Sequence, residues 1–365
     1  PIPWPTGDER DGGRRSTGPR IGRWVREEFP EDPLYPYAKR GLIWLARAQE
    51  PDGSWDAKRW DGAQPYRVGS TGLALLAFLG AGYTHRRGPF KETVRRGLGW
   101  LAARQRPDGS FPWQTFYEQG IATMAVSEAY QMTRYPTLGR VAQRAADYIF
   151  AVQPDHGGFR YTGPVARGEG DMSVTGWQIM ALKSARSAGL RVPQTAFDRS
   201  HTFLAGAWRG YGASAYLVSK QGKGSLAVSA IGMACRIFLD PDRYEEEIRE
   251  TAQLLLDADL TDGKAVPGGA SKQLVRDLYY TYYSSLAMFQ YGSGGEAWRV
   301  WDSMFRAPLA NEQIQTVRDA RGRHIRGSWD PASHRWGKAG GRVYTTAMAL
   351  LSIEVPYRFL PIYKR

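Results

Sequence analysis

Cysteine is nearly missing from this chain of 365 residues. The one thiol, Cys235 in the apolar run IGMACRIF, excludes an internal disulfide framework and any CxxC metal site, and reads as buried and inert. Histidine is scarce as well. His85, His156, His201, His324 and His334 show no metal-ligand spacing, so no metal site and no cofactor are expected. No apolar stretch reaches the roughly 20 residues that a membrane-spanning helix needs. Strand-type alternation is almost absent. The GxSxG elbow, the HExxH pair and the Walker A loop are missing too. The segment QGKGS at 221–225 lacks the preceding strand and the GK[ST] order, and reads as the lead-in to a helix.

Aromatics and positive charge are plentiful. Thirteen Trp and twenty Tyr exceed what a helical core usually needs, although plain packing is their commonest use. The formal net charge of +13 favours acidic partners. The basic residues are scattered, with concentrations at Arg10–Arg26 and Arg318–Arg342, and no recognition-helix or RNA-binding signature accompanies them. Nucleic acid is therefore not expected as a partner.

Self-similarity is the strongest signal. Residues 40–54 read RGLIWLARAQEPDGS, and residues 96–110 read RGLGWLAARQRPDGS, each followed by an aromatic, Trp55 or Phe111. A looser copy, YIFAVQPDHGGF, spans Tyr148–Phe159, and a copy of the turn alone, RGSWD, spans Arg326–Asp330. In each unit an amphipathic helix (Leu42, Ile43, Leu45, Ala46, Gln49) ends at a Pro-Asp-Gly turn, which breaks it and reverses the chain. A second helix follows, rich in Gly, Ala, Ser and Thr, as in STGLALLAFLGAGY from Ser70. Small residues let helices approach closely and suit an inner ring; the charged first helices suit an outer one.

Six such pairs fit the chain. Inner helices are expected to begin near Ser70, Gln119, Asp171, Gly224, Leu278 and Val343. Outer helices are expected near 35–49, 90–105, 136–153, 195–208, 243–258 and 296–318. The prediction is an all-α (α/α)6 toroid over 34–365, preceded by an extended arm or linker over 1–33. Six hairpins close on themselves and need no polar caps. The arm, with Trp4 and Trp24 as anchors, could wrap the ring or reach a protein partner. The chain begins with Pro1 and not Met, which favours a processed product in the periplasm or envelope over a cytoplasmic one.

The segments Gln49–Trp55 and Gln105–Phe111 resemble the repeat motif of squalene-hopene and oxidosqualene cyclases, found in more degenerate form in protein prenyltransferase β subunits. The resemblance covers roughly residues 35 to 360, and is similar to that of stand-alone bacterial squalene-cyclase-repeat proteins. It implies structural roles for Gln49, Asp52, Gly53, Trp55, Gln105, Asp108, Gly109 and Phe111, with the Gln tying one helix end to the next helix start. It also implies a place for a proton donor. Class II terpene cyclases use the middle Asp of Asp-x-Asp-Asp, just before an inner helix. The matching stretch is Glu169-Gly170-Asp171-Met172, with Asp171 as the candidate acid and Glu169 as its companion; Met172 stands where the third carboxylate would be. An Asp at that place is also a preferred N-cap. The zinc-dependent prenyl transfer of the β subunits is not expected, because Met233 precedes Cys235 where an Asp would be required.

An acidic-polysaccharide-active toroid is a further alternative, resting on His324, Arg326, His334 and Arg335 and on the run YYTYY at 279–283. The toroid itself suggests a binding role. Inner-helix N-termini gathered at one rim attract anions, and Lys223, Arg276 and Arg342 add full charges beside the last three, with Asp277 next to Arg276. An interior lined by Trp177, Met180, Tyr279, Tyr282, Tyr283 and Met288 would then suit an amphiphile with an acidic head, isoprenoid or lipid-like. A non-catalytic ligand-binding or partner-binding toroid is the preferred expectation, ahead of a terpene-cyclase-like enzyme.

Overall fold

A computed structural model describes residues 32–164, 169–261, 272–292 and 295–358. The arm with Trp4, Trp24 and the Arg10–Arg26 cluster lies outside the described residues. Helices alternate between two concentric rings. The outer ring is α1 (Tyr35–Ala48), α3 (Lys91–Arg104), α5 (Pro136–Ala151), α7 (Gln194–Ala207), α9 (Glu245–Thr261) and α12 (Glu296–Asn311). The inner ring is α2 (Arg67–Gly80), α4 (Tyr117–Thr133), α6 (Met172–Ser187), α8 (Leu226–Leu239), α11 (Leu278–Tyr291) and α13 (Gly337–Ile353), with the short α10 (Lys272–Arg276) leading into α11. Each inner helix packs on the next, and α13 packs on α2, so the circle closes. The only sheet among the described residues is a hairpin of β1 (Phe159–Arg160) and β2 (Gly163–Pro164).

Composition separates the rings. In α2 every residue from Val68 to Gly80 is buried, whereas α3 buries only Val94, Gly97, Leu98, Trp100 and Leu101. Inner helices press together through small residues: a Cβ on Gly176 would stand 2.4 Å from Cγ2 of Ile231 in α8. The sixth outer helix stops at Asn311, short of the expected 318, and a loop carries the chain on to Trp329. In α13 the helical path breaks at Gly341 (φ 69°), and the inner helix proper starts beyond it.

The repeated turns are the rivets. Gln49 Nε2 donates to the Gly53 carbonyl and to the Thr93 carbonyl of α3, both at 2.9 Å. Gln105 does the same to Gly109 (3.2 Å) and to Val141 of α5 (2.9 Å). Trp55 and Phe111 are fully buried. The Trp55 indole donates to the Leu45 carbonyl (2.8 Å) and its amide to Thr71 (3.0 Å); the Phe111 amide donates to Gln119 (2.9 Å). Asp52 and Asp108 accept from the amides and hydroxyls of Ser54 and Ser110. These bonds hold both carboxyls below the ordinary carboxylate range against the opposing effect of burial.

Gly53, Gly109, Gly157 and Gly327 all sit at positive φ, and a Cβ on each would meet a backbone carbonyl of the next outer helix, at 2.6, 2.1, 2.0 and 2.6 Å. For Gly327 that carbonyl belongs to Arg40 of α1, which joins the last unit to the first. Gln313 completes the joint, donating to Gly327 (3.0 Å) and to Tyr37 of α1 (2.8 Å). The sixth turn therefore has its own Gln. It escaped sequence reading because the loop sets it fourteen positions before the glycine, against four in the first two units.

Candidate functional site

The ring is hollow at one end and filled at the other. A cavity of about 470 Å³ opens at the N-terminal rim of the inner helices and draws on all six of them. This volume lies within the range of about 300–1,000 Å³ typical of small-molecule sites. Its walls are Leu73, Ile121, Val228, Ile231 and Met348, with Trp177 facing in from α6. Behind Trp177 the space is taken. Tyr282 stacks on it (centroids 6.1 Å apart, 17° between planes) and Tyr283 meets it edge-on at 5.7 Å. Further toward the helix C-termini the Arg358 guanidinium lies 6.0 Å from the Tyr282 ring and bonds to Glu128 of α4, while Glu354 is buried alongside.

Tyrosines crowd the mouth. Tyr66, Tyr117, Tyr279 and Tyr344 come from the starts of α2, α4, α11 and α13. Tyr161, from the β1–β2 turn, and Tyr216, from the loop before α8, lean over the opening and are 40% and 38% exposed. Trp336 completes the exposed rim. Tyr66 holds a left-handed backbone conformation (φ 36°), a strained state for a non-glycine residue. A chain of hydroxyls links these groups. Tyr216 lies 3.0 Å from Tyr161, Tyr161 lies 3.4 Å from Tyr117, and Tyr117 lies 2.6 Å from Ser173 Oγ, which donates to Asp171 Oδ1 at 2.5 Å. Tyr279 donates to the Ser173 carbonyl at 3.0 Å. Burial drives Tyr117, Tyr279 and Tyr344 well above the usual phenol range, so all three keep their protons.

Asp171 is fully buried and caps α6. Its Oδ1 accepts from the Ser173 amide (2.8 Å) and the Val174 amide (3.3 Å). It stands behind the cavity wall, with Ser173 in front of it. Its Oδ2 makes no hydrogen bond of ordinary geometry, yet lies close enough to Tyr216 to add to the effect of burial on that phenol. Glu169 is placed elsewhere: its side chain is 60% exposed and pairs with Arg160 at 3.5 Å.

Of the expected cavity residues, Trp177, Tyr279 and Asp277 line the space. Tyr282, Tyr283, Met180 and Met288 are buried behind it. The expected cations stand apart from the lining. Lys223 is exposed over the Tyr211 ring (5.6 Å), and Arg276 is exposed. Arg342 is buried between Asp61 and Asp330, at 3.5 Å from each. The charged groups that do line the cavity are Glu118, Asp277 and Arg335, and Arg335 is paired with Asp277 at 3.1 Å.

The anion-attracting rim is also spent internally. Glu118 accepts from the Gly69 amide in the first turn of α2 (2.9 Å), Asp171 caps α6, Ser225 caps α8 and Asp277 caps α11. The physical reason is general: a buried helix end must have its free amides satisfied, and here protein side chains satisfy them. Of the polysaccharide candidates, Arg335 and Tyr279 line the cavity, and the others lie outside the lining. His324 contacts Arg47 at 3.0 Å, and buried His334 contacts the Val275 carbonyl at 3.1 Å. Cys235 is buried, and burial pushes its thiol up to about 12.

Sequence reading missed Tyr66, Tyr117, Tyr161, Ser173, Tyr216 and Tyr344. Four of them share a usable signal, standing at or near the start of a helix already assigned to the inner ring. Tyr161 and Tyr216 have no such signal, because loops bring them in.

No family model and no curated protein matches the chain. Solved structures do. The type II terpene cyclase MstE from Scytonema is similar with a TM-score of 0.58 at 12% identity, over 90% of this chain and 99% of that one. An unsaturated glucuronyl hydrolase specific for heparin is similar with a TM-score of 0.62 at 11% identity, over 91% and 98%. An α-1,6-mannanase of Salegentibacter is similar with a TM-score of 0.61 at 8% identity, over 90% and 100%. At such identities the likeness concerns the fold, and it places the chain among the (α/α)6 toroids.

Proposed function

We propose that this toroid binds an amphiphile, with an apolar isoprenoid or lipid-like tail in the cavity and a polar head among the mouth tyrosines. One observation carries the reading: a cavity walled by aliphatic side chains and Trp177 opens through a collar of phenols. Apolar walls make tail burial favourable by about 25 cal/mol per Å², and the hydroxyls supply orientation. The test is calorimetric titration of the full chain with prenyl and alkyl alcohols of increasing tail length. Affinity should rise with tail length until the cavity is full. Val228→Trp, which fills the cavity from α8, should abolish binding with the fold intact by circular dichroism. Length-independent binding, or binding unchanged in Val228→Trp, would defeat the proposal.

A terpene-cyclase-like reading is the alternative, with Asp171 as proton donor. It draws support from Asp171 Oδ2 at the head of α6, which the N-cap bonds leave unused and which lies near the Tyr216 phenol. It also draws support from MstE, whose chain is matched over 99% of its length by this single ring, so one toroid is no argument against cyclisation. Against it stand the Asp171 N-cap bonds, the wall of Ser173, and the distant pairing of Glu169 with Arg160. Squalene and isoprenoid diphosphates incubated with the wild type and with Asp171→Asn decide: a cyclised product lost in the variant overturns the non-catalytic preference. A polysaccharide-active reading, suggested by the hydrolase and mannanase neighbours, is less well supported by an apolar cavity.

A further inference from the structure

The hydrogen-bond order at the mouth bears on which head group the cavity takes; this step rests on the amphiphile reading above. Ser173 has one hydroxyl proton and gives it to Asp171 Oδ1. At 2.6 Å from Ser173 Oγ, the Tyr117 hydroxyl is then the donor of that contact, and it gives its single proton to this short bond in preference to Tyr161, its other acceptor at 3.4 Å. The Tyr279 proton is committed to the Ser173 carbonyl. Two phenols at the wall thus spend their protons inward and turn lone pairs toward the cavity.

The charged groups nearby point the same way. Glu118 and Asp277 are acceptors, the inner-helix amides are largely capped, and Arg335 is neutralised by Asp277 and laid against Trp336 at 5.1 Å. We propose that the mouth selects a ligand head that donates a hydrogen bond, an alcohol, and rejects an anionic head such as a carboxylate or diphosphate. Asp171 and Ser173 act as positioning residues that set the proton order of Tyr117: Asp171 lies behind the wall, and Ser173, in the wall, spends its own proton on Asp171.

Three probes with one tail test this: farnesol, its methyl ether and farnesyl diphosphate, titrated against the full chain. The alcohol should bind about tenfold tighter than the ether, the worth of one good hydrogen bond, and the diphosphate should bind weakest. In Tyr117→Phe the alcohol should fall to the level of the ether, with the ether unchanged. In Ser173→Ala combined with Tyr161→Phe, which removes both protein acceptors of the Tyr117 proton, that proton is released to the cavity, and the ether should gain until it matches the alcohol. A role in packing alone would move both probes together. Equal binding of alcohol and ether by the wild type, or tightest binding of the diphosphate, overturns the head-group inference and leaves the cavity reading intact. Failure of all three probes to bind overturns the cavity reading, and this inference with it.

Discussion

Glu128 makes the stability of the ring depend on pH in a calculable way. It is fully buried in α4, with both carboxylate oxygens 3.2–3.3 Å from Nη2 of Arg358. Burial raises its pKa from 4.5 to about 7 even though Arg358 pulls the other way. For a carboxyl whose folded pKa exceeds its unfolded one, the contribution to stability is fully present below about pH 4.5. It is lost as pH rises through about 7. The gap of about 2.5 units, at about 1.4 kcal/mol each, amounts to about 3 kcal/mol. Glu128→Gln keeps the shape and removes the titration. Its stability relative to wild type should therefore improve by about 2.5 kcal/mol between pH 5 and pH 8, since a part of the change is complete by pH 5; the measurement is urea unfolding followed by circular dichroism. His85, which burial lowers to about 4, titrates in both proteins and cancels in the difference. A difference between variant and wild type that is the same at both pH values would refute the reasoning. Arg358→Met gives the complementary result. It strands Glu128 and Glu354 without a cation and should cost about 3–5 kcal/mol at pH 8, and less at pH 5, where the carboxyls are protonated.

Gly109→Ala places a Cβ at φ +93° and 2.1 Å from the Arg144 carbonyl oxygen of α5, and should destabilise by at least about 2 kcal/mol in the same assay. Gln313→Ala removes the bonds to Tyr37 and from Arg40 that join the last hairpin to the first, along with the bond to Gly327, and should cost about 1–3 kcal/mol; an unchanged urea midpoint would deny it a role in closing the ring. Asp171→Ala should cost about 0.5–2 kcal/mol through the lost N-cap, detectable as a lower melting temperature.

Ring architecture was legible from residues alone, because it is written locally. Two fifteen-residue copies, a Pro-Asp-Gly break after each, and small residues in the second helix of each pair give helix count, order and inner or outer placement without knowledge of any distant contact. The N-cap of Asp171 is local in the same sense, since its partners are two and three positions away. Tertiary structure decided the rest, for reasons of distance and desolvation. Gln313 becomes a ring-closing residue only when Tyr37, 276 positions earlier, arrives beside it. Arg342 looked like a free cation at the mouth, yet a buried guanidinium needs carboxylates, and Asp61 and Asp330 draw it into the wall. The mouth collects its phenols from four helix starts and two loops that share no sequence spacing. Its proton order follows from one hydroxyl, Ser173, squeezed between Tyr117 and Asp171.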